Sequence, residues 1–312
     1  EKVVIPESTN DLIDFLKKNN NPITIAGART GMTGSCIPKS GIIISLERFN
    51  RLGNLENGYI DVGPAVTLAQ LNEYLSLTQF FYPPNPTEML ASIGGTMATN
   101  ASGSRSYKYG VTRDYIVDAD IILSNGELIS LKRGQTIQNP LRLSDGRDLY
   151  FPNVNYVSPS CKNSAGYYIK PNMDWLDLFI GSEGTLGIFT RTRLKLISRP
   201  EAFISGVLFF YKVDDCWELA HSIKSMESNL INPCSLEYFD SRSLDRLRTK
   251  FNNIPPNAKA ALFFENDINK LSDYDASLDA WFDYLNNKSL HMDDSWFAQS
   301  PQDEKRFQDF RH

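Results

Sequence analysis

An α+β protein built as two successive units is the fold class that the sequence predicts. Three observations lead there. Short β-branched runs alternate along the chain with stretches of helical apolar spacing. Three clusters of glycine and other small residues, all before residue 190, interrupt the first part. The pattern then changes at Arg199-Pro200 into a regular succession of longer strands and helices. The predicted boundaries are therefore 1–200 and 201–312.

Val3-Val4-Ile5 reads as a first short strand. Pro6-Glu7-Ser8-Thr9 leads into a helix whose Leu12, Ile13, Phe15 and Leu16 share an inner face. Strands follow at 22–26, 41–46 and 59–63, and a helix at about 67–76. Ile121-Ile122-Leu123, a Ser124-Asn125-Gly126-Glu127 turn and Leu128-Ile129-Ser130 read as a hairpin. Residues 134–171 are rich in Asn, Pro, Ser and Tyr without periodicity, and so predict a long loop or insertion. A strand from 187 to 197 ends the first unit. The second unit reads as strands at 203–210, 235–239 and 260–265, separated by helices at 213–229 and 241–250 and followed by one at 274–286.

Composition narrows the function classes. Of 312 residues, 41% are hydrophobic and 22% charged, as in an ordinary globular protein. A net charge of -5 argues against nucleic acid as the main partner. No apolar run is long enough for a transmembrane segment. The four cysteines (Cys36, Cys161, Cys216 and Cys234) form no CxxC pair, which suggests neither a metal nor an iron–sulfur site and fits a reducing, cytoplasmic setting, free or at a membrane surface. The three histidines, His221, His291 and His312, all come late, so chemistry in the first two hundred residues proceeds without imidazole.

The first cluster is Ala26-Gly27-Ala28-Arg29-Thr30-Gly31-Met32-Thr33-Gly34, directly after a strand. Small residues there let successive backbone amides face one concavity, as a phosphate requires. It has neither the Lys-Ser/Thr of a triphosphate loop nor the GxGxxG spacing. The second is Ser92-Ile93-Gly94-Gly95-Thr96-Met97-Ala98-Thr99-Asn100-Ala101-Ser102-Gly103, and the third Gly181-Ser182-Glu183-Gly184-Thr185-Leu186-Gly187-Ile188. Taken singly, the first and third suit a tight turn and the second a closely packed helix.

In order and spacing, the set resembles the FAD-binding domain of the vanillyl-alcohol oxidase/p-cresol methylhydroxylase family. The branch is the one containing the GlcD-type subunit of glycolate oxidase, D-lactate dehydrogenase and D-2-hydroxyglutarate dehydrogenase. Arg105, Lys108-Tyr109-Gly110, Arg113-Asp114 and Lys162-Asn163…Gly166-Tyr167 add to the likeness, which runs to about Pro200. The resemblance implies a two-lobed FAD-binding domain of the p-cresol methylhydroxylase type, followed by an incomplete α+β cap. It implies FAD held non-covalently, because the position where some members carry a tethering histidine is Thr30.

By the same resemblance, Ala26, Gly27, Ala28, Arg29, Thr30, Gly31 and Met32 wrap the pyrophosphate. Pro86 and Ser92 line the flavin side, with Gly94, Gly95, Ala98, Thr99, Asn100, Ala101 and Gly103 along the cofactor. Glu183, Gly184, Gly187 and Ile188 hold the adenine–ribose end or the ring edge. Arg311 corresponds to an arginine that pairs with a substrate carboxylate; a surface arginine on a helix reads equally well. The implied activity is oxidation of a small 2-hydroxy acid such as D-lactate, glycolate or D-2-hydroxyglutarate, with hydride passing to flavin N5 and electrons onward to a quinone, a protein or oxygen. A later His-x-Gly-Asp-Gly-Asn-x-His-like stretch of the relatives is absent from these 312 residues. The chain alone is therefore expected to bind FAD but turn over poorly. The alternative is an FAD-binding or electron-relay subunit that works beside a partner subunit.

Overall fold

The structure is a computed structural model that describes residues 2–162, 164–288 and 292–311. Asn163, His291 and His312, named above, lie outside the described residues. The chain divides into two units, one comprising 1–103 and 111–198, the other 104–110 and 199–312. The seven-residue segment Ser104–Gly110, inside the span read as the first domain, thus belongs to the second unit.

The first unit begins with β1 (Lys2–Val4), α1 (Thr9–Lys18), β2 (Ile23–Ala26) and β3 (Ile42–Ser45). These strands form a parallel sheet in the order β1-β3-β2. The Ser8 side chain accepts the Asp11 amide and caps α1, which buries Leu12 and Leu16 one turn apart against Ile44 and Leu46. β4 (Leu52–Glu56) and β5 (Tyr59–Val62) come next, then α2 (Leu68–Ser76) with Thr67 and Gln70 as a reciprocal capping box. β6 (Phe80–Phe81) precedes α3 (Ile93–Ala98). The short α4 (Ser106–Tyr109) belongs to the second unit.

Beyond it come β7 (Ile116–Ile122), β8 (Leu128–Lys132), β9 (Leu141–Arg142), β10 (Asp148–Leu149), α5 (Trp175–Phe179), β11 (Ile188–Lys195) and β12 (Ile197–Ser198). The antiparallel second sheet runs β4-β5-β11-β7-β8. The β7–β8 hairpin is longer than the sequence suggests, while the single strand read at 187–197 is two, because β12 leaves the sheet to pair with β6. The 134–171 stretch is not wholly irregular: β9 and β10 pair within it. β4 was not foreseen, although Asn57 (φ 51°) and Gly58 (φ 79°) form the two-residue turn that joins it to β5.

The second unit contains β13 (Ala202–Phe210), α6 (Val213–Lys224), β14 (Pro233–Asp240), α7 (Ser241–Leu247), β15 (Ala260–Ile268), α8 (Tyr274–Asn287), β16 (Trp296–Phe297) and α9 (Pro301–Arg311). Its sheet is antiparallel in the order β14-β15-β13-β16. Ile204, Leu208 and Phe210 enter one core with Leu219 and Trp281, whereas Val207 and Phe209 enter another with Leu244 and Phe310. Period-two alternation thus feeds two covered faces, which explains why β13 is buried along both faces from Ile204 to Phe210. α6 stops at Lys224, short of the predicted 229, where the Ser225 amide turns back to the His221 and Ile223 carbonyls.

Candidate functional site

Backbone and side-chain bonds bring the three glycine clusters to one place in the first unit. Ser92 caps α3 by accepting the Gly95 amide at 3.3 Å, and the same oxygen accepts the Ala28 amide at 3.3 Å. That joins the first cluster to the second. Gly181 and Glu183 donate their amides to the Met97 and Ala98 carbonyls at 2.9 and 2.8 Å, which joins the third to the second. The second cluster is therefore a helix tied to both of the other clusters.

Between them lies a cleft of about 550 Å³, within the ~300–1,000 Å³ of cofactor and small-molecule sites. It is lined by Gly27, Ala28, Arg29, Thr30, Gly31 and Met32 from the first cluster, and by Pro86, Ser92, Gly94, Gly95, Ala98, Thr99 and Ala101 around the second. Glu183, Gly184, Gly187 and Ile188 close it. Ala26, Asn100 and Gly103 do not line it. Ala26 is buried in β2, and a Cβ at Gly103 would lie 2.0 Å from the Asn85 carbonyl oxygen. Asn100 was expected along the cofactor; its side-chain oxygen accepts the Arg113 amide at 3.0 Å. Arg311 sits on α9, where its Nε donates to Glu237 and its guanidinium covers the Phe263 ring.

Lining residues that the sequence reading missed include Ile23, Thr24, Ile25, Leu46, Pro64, Cys36, Glu88 and Phe189. Ile23, Ile25 and Leu46 looked like core from their apolar runs, yet they form the apolar wall of the cleft. Cys36, not the exposed Cys161, is the cysteine on its rim.

The cleft fits a dinucleotide on two local grounds. The amides of Arg29, Thr30, Gly31 and Met32 have no acceptor among the described residues, and Arg29 turns the chain with φ 60°. A row of uncommitted amides around one positive residue is a cradle for an anion. Gly184 adopts φ 75°, and a Cβ there would lie 3.4 Å from Ile25, so this wall stays low enough for a flat ligand.

The third cluster is held from behind by a buried ion network. Arg113 donates to the Asp177 carboxylate at 3.0 Å and to the Ile180 carbonyl, the last acceptor before Gly181. Arg133 donates to the same Asp177 oxygen at 2.7 Å. Burial works to raise the Asp177 pKa, but the Arg133 and Arg113 charges and hydrogen bonds win and hold it below the usual carboxylate range. Burial also lowers the Arg113 pKa, with Asp177 opposing.

Among the described residues, no helix is long and apolar enough to cross a membrane, and no cluster of His, Cys, Asp and Glu could hold a metal ion. The model of the FAD binding domain family matches residues 1–132. A D-lactate dehydrogenase from Anaerostipes hadrus is 35% identical over 222 residues, which cover 69% of this chain and 40% of the relative. Glycolate oxidase subunit GlcD from Bacillus subtilis is 28% identical over 275 residues, covering 86% of this chain and 51% of the relative. The chain thus spans about half the length of such relatives, or less. A solved alkyldihydroxyacetonephosphate synthase superposes with a TM-score of 0.69 over 98% of this chain and 54% of its own, at 18% identity, a likeness of fold alone. Residues 1–132 accordingly carry an FAD binding domain, and the chain's relatives include D-lactate dehydrogenases and glycolate oxidase subunits, the branch its glycine motifs resemble.

Proposed function

We propose that this chain is the flavin-holding part of an oxidoreductase acting on a small 2-hydroxy acid such as D-lactate, glycolate or D-2-hydroxyglutarate. The observation that carries the reading is the convergence of three glycine clusters on one cleft edged by uncommitted amides. The amides of residues 29–32 would take the pyrophosphate, with Arg29 adding charge. Ile23, Ile25 and Leu46 would exclude water from an apolar ring. Pro86, Ser92, Gly94, Gly95, Ala98 and Thr99 would follow the cofactor's length, and Glu183 and Gly184 its far wall.

When bound, FAD supplies a two-electron acceptor for the substrate's α-carbon. The chain's residues hold the cofactor, exclude water and fix the substrate. The second unit serves as the substrate cap. Within it Arg311 exchanges its Glu237 partner for the substrate carboxylate, a pairing its planar guanidinium suits. Electrons leave to a quinone, a protein or oxygen. The name of the glycolate oxidase relative, a subunit, favours a second reading in which this chain relays electrons beside a partner.

Anaerobic titration of the FAD-loaded protein with the three acids tests the proposal. Slow bleaching of the flavin absorbance by at least one of them, far below enzymatic rates, is expected of this chain alone, and Arg311→Met should raise the acid concentration needed while leaving flavin content unchanged. Bound flavin that no 2-hydroxy acid bleaches favours the relay reading.

A further inference from the structure

Resting on the reading of the cleft as the FAD site, we propose that Tyr167 is a positioning residue for that cleft. It would act from the 134–171 insertion through Thr185. Thr185 lines the cleft. Its hydroxyl donates its one hydrogen to the Ser182 carbonyl at 2.6 Å. At the 2.8 Å contact between the two hydroxyls, Thr185 can then only accept, and Tyr167 is the donor. The exposed tyrosine therefore fixes the rotamer of a cleft-lining threonine and, through it, the turn 182–185.

The next residue grips the other end of the same turn. The Tyr168 ring faces the Arg113 guanidinium, 4.0 Å from it to the ring centroid. Arg113 in turn donates to the Ile180 carbonyl, directly before Gly181. Two consecutive tyrosines thus reach both ends of the third glycine cluster, one by a hydroxyl and one by a ring. The insertion is braced where it does so: Ser158 and Ile169 exchange a backbone bond at 2.7 Å and a side-chain bond at 3.0 Å. The hollow left between Tyr167, Tyr168, Thr99 and Gly181 is about 10 Å³, room for one water. The insertion therefore packs against the cluster.

If Tyr167 orders the wall that a bound cofactor touches, the cofactor must order the insertion in return, because coupling between two sites is reciprocal. The exposed Lys162, five residues before Tyr167, reports on this as a trypsin site.

The test is FAD affinity by fluorescence quenching for the whole chain and for Tyr167→Phe, Thr185→Val, their combination, and Thr185→Ser. Loss of one hydrogen bond at the wall is expected to weaken FAD binding about three- to tenfold. The double variant should lose no more than Thr185→Val alone, Thr185→Ser should keep wild-type affinity, and the apo melting temperature of Tyr167→Phe should stay unchanged. Mass spectrometry of tryptic fragments should show FAD slowing cleavage after Lys162 in the wild type but not in Tyr167→Phe. Wild-type affinity in Tyr167→Phe, or additive losses in the double variant, would overturn the proposal. A wild-type chain that binds no FAD would overturn the site reading itself, and this inference with it.

Discussion

The Ser92 hydroxyl accepts the Ala28 amide at 3.3 Å across 64 residues of sequence. The same oxygen caps α3 through Gly95, so one side chain sets both the first glycine turn and the helix beside it. Ser92→Ala removes both bonds and leaves two amides uncommitted. The cap is worth ~1 kcal/mol and the second bond about as much. The expected result is a melting temperature lower by several degrees and FAD affinity weaker by roughly tenfold, read by calorimetry and fluorescence titration. An unchanged affinity would remove Ser92 from the site.

Gly184→Trp and Gly95→Trp should abolish flavin binding while the second unit keeps its cooperative melting. At Gly184 a side chain also meets φ 75°, and at Gly95 an added Cβ would sit 3.1 Å from Ser92 Oγ, so both changes act at the cleft wall. Gly187→Ala is the contrast. Its Cβ would lie 2.6 Å from Ile121 Cγ2, so it should destabilise the first unit by overpacking, about 1–3 kcal/mol. Flavin absorbance in the purified variants distinguishes the two cases, and normal flavin content in Gly184→Trp would displace the site.

Asp177 gives the first unit an acid limit. Its pKa is depressed in the folded state, so its contribution is fully present above the ordinary carboxylate value and is lost as pH falls through the lowered one. Asp177→Asn leaves Arg113 and Arg133 without their shared carboxylate and should cost about 3–5 kcal/mol at neutral pH. The variant's stability should then be flatter below pH 4 than the wild type's. Urea titrations at a series of pH values check both the size and the slope.

Acid or heat should release the flavin intact from the polypeptide. Thr30 occupies the turn where a tether would be needed, and no histidine lines the cleft among the described residues. Flavin that stays with the denatured chain would point to Cys36, the cysteine on the rim, and mass spectrometry of the tryptic peptides would locate it.

The cleft was more legible than its surroundings. Residues 27–32, 94–95 and 183–184, which line it, stood out because small residues cluster where backbone forms a wall. Ile25 and Leu46 did not, because an apolar wall facing a cofactor has the composition of a core. Asn100 sits in a glycine cluster and so was grouped with the lining residues, while its bond to the Arg113 amide depends on a residue 13 positions away. In the fold, α1 and α2 were marked by Ser8 and Thr67 caps. The β4–β5 turn was equally marked by Asn57-Gly58 and was overlooked. β13 was read to within one residue, while the last three residues of β15 were missed because they are fixed by pairing with residues 202–204, which no local pattern reveals.

The assignment of residues 104–110 to the second unit bears on how such a protein can be recombined. The chain crosses from one unit to the other after residues 103, 110 and 198, so no single cut separates them. Within the second unit, Arg105 grips Glu265 with two bonds at 2.7 and 3.0 Å, and Lys108 meets Asp267 at 2.7 Å. A second unit swapped in from another protein by splicing at residue 199 would inherit this host segment. It would accept the segment only if it carried carboxylates in matching places on its own sheet. Exchange of the second unit is therefore a matter of two segments and three junctions, and a replacement for 199–312 must be matched to Arg105 and Lys108 or bring its own counterpart of 104–110.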